Sequence, residues 1–222
     1  MGFNSKKHAE LLEELKPYQA RLVAVSKKKP PEDIMDAISC GQQAFGENYV
    51  QELMEKRESI PSTAEWHFIG HLQTNKVRSI SPFISMIQSV DSMKLLKEID
   101  KEASKNNLRT DCLIQVHIAT EESKTGFSEE EAEALMLFPE LTTMHNIRLR
   151  GLMGMASLTN DHQQIKREFD GLRRLFLNCR MMSPDPDGFD TLSMGMSSDY
   201  KIALDCGSNL IRLGSALFGE RS

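Results

Sequence analysis

Short apolar runs alternate with amphipathic segments along this chain, and the alternation indicates an α/β fold. Residues 111–118 form the clearest run, which is mostly aliphatic and flanked by polar loops, as expected of a buried strand. Residues 161–180 instead place Ile165, Phe169 and Leu172 at helical spacing, which predicts a long helix with one apolar face. A strand followed by a helix is therefore the expected repeating unit of the chain.

Such units occur about eight times, the number that closes a (β/α)₈ barrel, although the fourth and seventh strands have weak patterns. An open doubly wound sheet is the alternative. Against it, no G-x-G-x-x-G motif follows the first strand, and no linker or change of composition divides the chain. We expect one domain over residues 1–222, with strands at 22–25, 43–48, 66–70, 83–90, 111–118, 149–155, 191–194 and 210–214.

The first predicted strand ends in a lysine cluster, Lys27, Lys28 and Lys29. A parallel barrel places its ligands at this carboxyl edge of the strands. A partly desolvated lysine there loses its proton more readily and can attack an aldehyde. A solvated basic cluster without chemistry is the alternative, since charge runs usually mark solvated faces. This segment alone leaves both interpretations open.

Two late strands are followed by turns that suit a phosphate. Residues 193–199 combine a glycine turn with Ser197 and Ser198 at a helix start, where unpaired backbone N–H groups favour an anion. Residues 212–216 contain Gly214 and Ser215, small residues that let a ligand approach the backbone. Each turn alone could be a cap or a packing position. Together, after adjacent strands, they favour a phosphate site.

A lysine that forms imines and a phosphate site at one barrel mouth point to pyridoxal 5′-phosphate (PLP) or to a sugar-phosphate aldolase. The net charge of −5 argues against a general nucleic-acid or anionic-membrane binder. The four scattered cysteines indicate reduced thiols in the cytoplasm rather than disulfides or a metal site. No run approaches the roughly 20 apolar residues that span a bilayer, and residues 1–15 lack a signal-peptide pattern.

More specific motifs lie at 25–27, 45–52, 66–76, 150–153, 192–197 and 211–219. In this order they resemble the motifs of the pyridoxal phosphate homeostasis protein family, and the resemblance runs from about residue 20 to 219. Members of that family look like the barrel domain of alanine racemase standing alone. The resemblance therefore implies a (β/α)₈ barrel of the alanine racemase N-terminal type, and a role in PLP homeostasis through buffering or delivery of the cofactor.

The resemblance also assigns residues to the cofactor. It makes Lys27 the lysine that holds PLP covalently as a Schiff base. Ser197 and the backbone at Gly214 and Ser215 would hold the phosphate group. Ser215 stands where many family members have threonine, a change that keeps the hydroxyl group.

Five further positions have expected roles that differ from one residue to the next. Arg212 would face the pyridine nitrogen of PLP, and Asn48 would lie beside the ring or its hydroxyl. Glu47 belongs to a motif, yet a helix-surface or capping position explains it as well. Lys124, in a loop that also matches a family motif, is interpreted as a solvated lysine. His71 occupies a variable position, and we assign it no role.

The same residues limit the expected chemistry. An arginine stays charged and only donates hydrogen bonds, so it leaves the pyridine nitrogen unprotonated and weakens the electron sink. Racemisation also needs a second base, which alanine racemases as a family take from an additional β domain, and only eight residues follow Gly214 here.

We therefore expect a monomeric, cytoplasmic PLP-binding protein without efficient catalysis, with apo-enzymes that need PLP as candidate recipients. The first alternative is a PLP-dependent amino-acid racemase or decarboxylase that uses the same Lys27 site. The second is a sugar-phosphate enzyme that uses a lysine imine without a cofactor.

Overall fold

Eight parallel strands close into a barrel in which each strand pairs with its neighbours in the sequence. They are β1 Arg21–Val25, β2 Ala44–Glu47, β3 Glu65–Phe68, β4 Met86–Val90, β5 Thr110–Val116, β6 Ile147–Gly154, β7 Thr191–Ser193 and β8 Leu210–Leu213. Pairing of β1 with β8, from Arg21 opposite Leu210 to Ala24 opposite Leu213, completes the ring. The predicted (β/α)₈ barrel is confirmed, with its fourth and seventh strands in place. This computed structural model describes residues 2–120 and 125–219, and Lys124 lies outside them.

Helices follow the strands, and local signals in the sequence set several of their ends. Asn4 caps the first helix by accepting the backbone N–H of Lys7, and Ser128 forms a capping box with Glu131. No helix within the described residues is long and apolar enough to cross a membrane. The helices are α1 Ser5–Leu15, α2 Pro31–Ser39, α3 Val50–Ser59, α4 Val77–Ile80, α5 Met93–Lys105, α6 Glu129–Met136, α7 His162–Met182, α8 Tyr200–Asp205 and α9 Ser215–Phe218.

Apolar side chains fill two separate spaces, because successive strand residues point to opposite faces of the sheet. The larger cluster lies between strands and helices and joins Phe45 and Phe68 to Ile34 and Phe169. The smaller cluster fills part of the barrel interior and consists of Val23, Met86, Leu113, Met153 and Leu210. The carboxyl ends of the strands therefore stand on a packed base, which gives a ligand site a fixed support.

The fourth strand begins later than its apolar pattern predicts. Phe83 and Ile84 both donate their backbone N–H groups to the carbonyl of Ile80, at 3.1 and 3.0 Å. This turn after α4 holds them outside the sheet, although Ile84 is buried. The sequence pattern correctly indicated burial there but could not distinguish a buried turn from a strand.

A close approach between β6 and β7 requires a glycine. The register between β5 and β6 shifts at Gly151, whose φ of +147° is in the region that favours glycine. A Cβ atom on Gly151 would lie 1.8 Å from the carbonyl oxygen of Thr191. The added Cβ atom would be fixed to the backbone of β6 and would meet a backbone oxygen of β7. Neither strand can therefore move away without disturbing the barrel.

We therefore expect Gly151→Ala to lower the free energy of unfolding by about 3 kcal/mol, from overpacking together with backbone strain. The matched control is Gly41→Ala after α2, where φ is +89° but no atom lies within 4 Å of the added methyl. Strain alone should cost about 1 kcal/mol there. Urea unfolding followed by circular dichroism measures both values. Equal losses would contradict the close approach.

Candidate functional site

The turn after β1 separates the three clustered lysines. Lys29 donates its backbone N–H to the carbonyl of Ser26 at 3.0 Å, and Lys28 adopts a left-handed φ of 60°. The side chains of Lys27 and Lys29 are half-buried and line a cavity of about 330 Å³ at the barrel mouth, whereas Lys28 is exposed. The geometry therefore excludes a uniformly solvated cluster and places Lys27 at a site.

All six residues that the sequence assigned to the cofactor line this one cavity: Lys27, Asn48, Ser197, Arg212, Gly214 and Ser215. Two other polar residues at strand ends do not. The exposed His71 pairs with Asp91 at 3.0 Å, and Ser92 caps α5 by accepting the backbone N–H of Leu95. The remaining lining residues are Val25, Lys29, Ile69, Met155, Met196, Ser198 and Gly219.

One part of the cavity is suited to an anion. The hydroxyl of Ser215 donates to that of Ser197 at 3.1 Å, so the turns after β7 and β8 meet there. Because α9 begins at Ser215, the backbone N–H groups of Ser215 and Ala216 precede the first hydrogen bonds of the helix, in which Leu217 and Phe218 donate to the carbonyl of Gly214. The Lys29 ammonium donates to the carbonyls of Phe218 and Gly219 at 2.8 and 3.3 Å and brings a positive charge to the same cavity.

Glycine makes the turn after β7 possible. Gly195 has a φ of +98°, and a Cβ atom there would lie 2.7 Å from the Cβ of Ala203. Tight packing against α8 and a left-handed backbone therefore both require glycine before Ser197. The predicted glycine turn is confirmed, and it brings Ser197 to the cavity wall.

Arg212 is a buried charge at the cavity. Its Nη1 donates to the hydroxyl of Ser193 at 2.5 Å and its Nη2 to the carbonyl of Gly154 at 3.1 Å. Burial lowers the pKa of the guanidinium to about 10, which Asp199 partly opposes. The side chain therefore stays positively charged at neutral pH, and a guanidinium has no acceptor atom to offer a ligand.

Asn48 leaves a polar atom without a partner. Its Oδ1 is buried and accepts no hydrogen bond from any described residue, although Asn48 lines the cavity. A buried amide oxygen in that state is costly unless a ligand or water supplies a donor. A hydroxyl group on a bound ligand would satisfy it.

A buried ion cluster supports the turn that carries Lys27. The Lys56 ammonium donates to the carbonyl of Ser26 at 2.7 Å, to Glu47 Oε1 at 2.7 Å and to Glu52 Oε1 at 2.6 Å. Glu47 Oε1 also accepts from the Ser26 hydroxyl at 2.6 Å, and Glu52 accepts the backbone N–H of Lys28. The residues on both sides of Lys27 are thus tied to α3 and to the end of β2.

This cluster corrects the interpretation of Glu47 as a surface or capping residue, since its side chain is fully buried. Burial raises the pKa of the Glu47 carboxyl, and the Lys56 ammonium opposes that rise. The i,i+4 spacing of Glu52 and Lys56 in the sequence could have indicated a helical ion pair. No local feature of the sequence indicates that the Lys56 side chain contacts the carbonyl of Ser26 after β1, because that contact depends on the fold.

The cavity as a whole combines four features. It has a lysine amine, an anion-binding end, a permanent donor in Arg212 and a buried acceptor in Asn48. Ile69 and Met155 form apolar parts of the cavity wall, against which a flat ring could pack. Among the described residues, no group of three or more His, Cys, Asp or Glu side chains could hold a metal ion.

Comparison with known proteins gives matches over most of the chain. The family model for the alanine racemase N-terminal domain matches residues 5–222. A pyridoxal phosphate homeostasis protein from Haemophilus influenzae is 38% identical over 205 residues, which cover 91% of this chain and 85% of that protein.

Solved structures agree with these sequence matches. PipY from Synechococcus elongatus, known without PLP and with PLP bound, is 32% identical to this chain, with TM-scores of 0.90 and 0.87 over 97% of this chain and 99% of PipY. Alanine racemase from Corynebacterium glutamicum, 17% identical with a TM-score of 0.71, shares the fold, and this chain covers 61% of its length. By its family model and its relatives, the chain belongs to the family of pyridoxal phosphate homeostasis proteins, built on the barrel of the alanine racemase N-terminal domain.

Proposed function

We propose that this protein binds PLP covalently through Lys27 and takes part in PLP homeostasis by holding and releasing the cofactor, without efficient catalysis. The observation that carries the proposal is the meeting of Lys27, Arg212 and the Ser197–Ser215 pair in one cavity. PLP would supply an aldehyde, with which the Lys27 amine condenses with loss of water. The name of the Haemophilus influenzae relative and the PLP-bound structure of PipY support this assignment.

The residues present fit each part of PLP. The phosphate group would accept hydrogen bonds from the hydroxyls of Ser197 and Ser215 and from the backbone N–H groups of Ser215 and Ala216 at the start of α9. The unpartnered Oδ1 of Asn48 matches the ring hydroxyl, which can donate to it. Arg212 would donate to the pyridine nitrogen, and Ile69 would pack against the ring. These groups orient the aldehyde towards Lys27.

Two features of the chain argue against efficient catalysis. Arg212 can only donate, so it holds the pyridine nitrogen unprotonated, which weakens the electron sink that PLP enzymes use. No described tyrosine or histidine lines the cavity as a second base. Tyr18 pairs with Asp205, Tyr200 pairs with Glu14, and Tyr49 is exposed. Proton transfer on both faces of an amino acid therefore lacks its acid–base pair.

The domain organisation, oligomeric state, cellular location and recipients of the cofactor are also part of the proposal. We propose that the chain works as one barrel domain over residues 1–222, as a monomer in the cytoplasm. The four cysteines are free thiols, a state that a reducing compartment maintains. Apo-enzymes that need PLP are the proposed recipients of the cofactor.

The covalent link predicts a difference between neighbouring lysines. Borohydride reduction of the PLP-loaded protein, followed by peptide mass spectrometry, should place the label on Lys27. Lys28→Ala, the matched control, should keep both the label and the near-visible absorption band, because its side chain lies outside the cavity. Lys27→Ala should lose the label from that peptide. A label on Lys29 or Lys124 in the unchanged protein would contradict the assignment.

The anion site predicts a loss of affinity for the phosphate ester. A charged hydrogen bond contributes about 1.5–3 kcal/mol, so Ser197→Ala should weaken PLP binding roughly tenfold or more, measured by fluorescence titration. Ser39→Ala, an exposed serine at the end of α2, is the control and should bind normally. Pyridoxal, which lacks the phosphate, should bind far more weakly than PLP. Similar affinities for the two aldehydes would contradict the site.

The missing acid–base pair predicts little turnover of amino acids. PLP-loaded protein, incubated with L-alanine in deuterated water, should exchange the α-proton and racemise far more slowly than about 1 s⁻¹, the low end of typical enzyme rates. NMR of the α-proton and chiral chromatography measure both processes. Turnover above that rate would favour the racemase alternative. Transfer of PLP to an apo-enzyme in the same preparation would support the carrier.

A further inference from the structure

A chain of hydrogen bonds crosses the interior of the barrel from Arg212. Arg212 Nη1 lies 2.5 Å from Ser193 Oγ on β7, which lies 2.7 Å from Gln88 Oε1 on β4. Gln88 Nε2 in turn lies 2.8 Å from His67 Nδ1 on β3. All four side chains are at least 96% buried, with exposures of 4% for Arg212, 0% for Ser193 and Gln88 and 2% for His67. We call these four residues the interior relay.

The chemistry of its members gives the interior relay one direction. Arg212 only donates, so Ser193 Oγ accepts from it and directs its own proton to Gln88 Oε1. The amide of Gln88 then presents Nε2 to His67, whose Nδ1 must be an acceptor. His67 is therefore neutral, with its proton on Nε2. Burial, aided by the charge of Arg21, lowers the pKa of His67 to about 3, which agrees with that state.

Each hydrogen bond of the interior relay restricts the orientation of the polar group that precedes it. A serine hydroxyl can rotate, but the Gln88 carbonyl fixes the direction of the Ser193 proton. With its Oε1 towards Ser193, the Gln88 amide directs Nε2 to His67 Nδ1, an arrangement that corresponds to the His67 tautomer with its proton on Nε2. With Nη1 held by Ser193 and Nη2 by the Gly154 carbonyl, the plane of the Arg212 guanidinium is defined.

The barrel does not need these polar groups for packing. An apolar cluster that includes Val23, Met86 and Leu113 fills another part of the same interior. Buried polar groups add little to stability when apolar side chains of similar volume could replace the whole set. The place where the interior relay has a distinct effect is its end, where Arg212 lines the cavity.

We propose that Gln88 and His67 are positioning residues for Arg212, which hold its guanidinium through Ser193 in the single orientation that faces a bound ligand. The assignment of that ligand as PLP, with its pyridine nitrogen towards Arg212, rests on the function proposed above. The orientation of Arg212 itself is a property of the protein alone and can be measured without a ligand.

The first arm of the test is a double-mutant cycle on PLP affinity. Gln88→Met, similar in volume but unable to form either bond, should weaken PLP binding roughly three- to tenfold. In an Arg212→Met background the same change should alter affinity less than twofold, because the residue that Gln88 positions is gone. The control is Met86→Ala on the same strand, which should lower the unfolding temperature and leave PLP affinity within twofold. Equal losses in both backgrounds, or no loss in either, would overturn the proposal.

The second arm uses the protein without PLP. Nitrogen-15 NMR of the unchanged protein should show His67 as the neutral Nε2–H form and slow rotation of the Arg212 Nη groups. Gln88→Met should speed up that rotation, and Met86→Ala should not. Unchanged Arg212 rotation in Gln88→Met would overturn the proposal whatever the affinities are. If the unchanged protein binds no PLP, the proposed function fails and this second arm alone decides on the interior relay.

Discussion

A lysine ammonium and a glutamate carboxylate, both removed from water, support the turn that presents Lys27. The side chain of Lys56 is 6% exposed and that of Glu47 is fully buried. Such a pair is stable only when its remaining hydrogen bonds are satisfied, because desolvation of each charge costs several kcal/mol. Lys56 meets this condition, since its three N–H donors have three acceptors, on Ser26, Glu47 and Glu52, whereas Glu47 satisfies only Oε1 and its buried Oε2 has no partner among the described residues. One of those acceptors is the backbone carbonyl of Ser26, the residue before Lys27. The hydrogen bonds that satisfy the Lys56 ammonium therefore also hold the turn that carries Lys27.

The other buried charge, Arg212, is satisfied in a different way. Lys56 is paired with carboxylates, whereas Arg212 donates to the neutral acceptors Ser193 and Gly154. A guanidinium that donates to neutral acceptors is tolerated there because arginine is less strongly hydrated than lysine, and the charge of Asp199 favours its protonated form. A paired arginine would have its donors taken by a carboxylate. The two neutral partners engage two of the five N–H donors of Arg212, which lines the cavity, and a ligand with a ring nitrogen requires such a donor.

The parts of the site that the sequence predicts are those encoded within a few residues. Lys27 follows a strand directly, and the turns that contain Ser197 and Gly214 carry their own glycine and serine signals. The barrel then brings these turns together, as the count of strand–helix units predicted. Ser193 and Gln88 could not be paired in this way, because they are 105 residues apart in the sequence and meet only across the closed barrel. The burial of Glu47 against Lys56 could not be predicted either, because that contact depends on how α3 packs against the strands.

The proposed binding without efficient catalysis would follow from the same arrangement. Positioning through the interior relay makes Arg212 a fixed donor, and a fixed donor keeps a ring nitrogen in its unprotonated form. The described tyrosines and histidines all lie outside the cavity lining, and several already have partners, such as Tyr200 with Glu14 and His67 with Gln88. A lysine amine with a neutral ring and no opposed base can form and release a covalent link to an aldehyde, since that exchange needs only the amine, water and a proton. Chemistry at the α-carbon of an amino acid needs an electron sink and an opposed base, and no tyrosine or histidine in the described lining of the cavity supplies that base. The geometry proposed to hold the cofactor would therefore also restrict the protein to holding it.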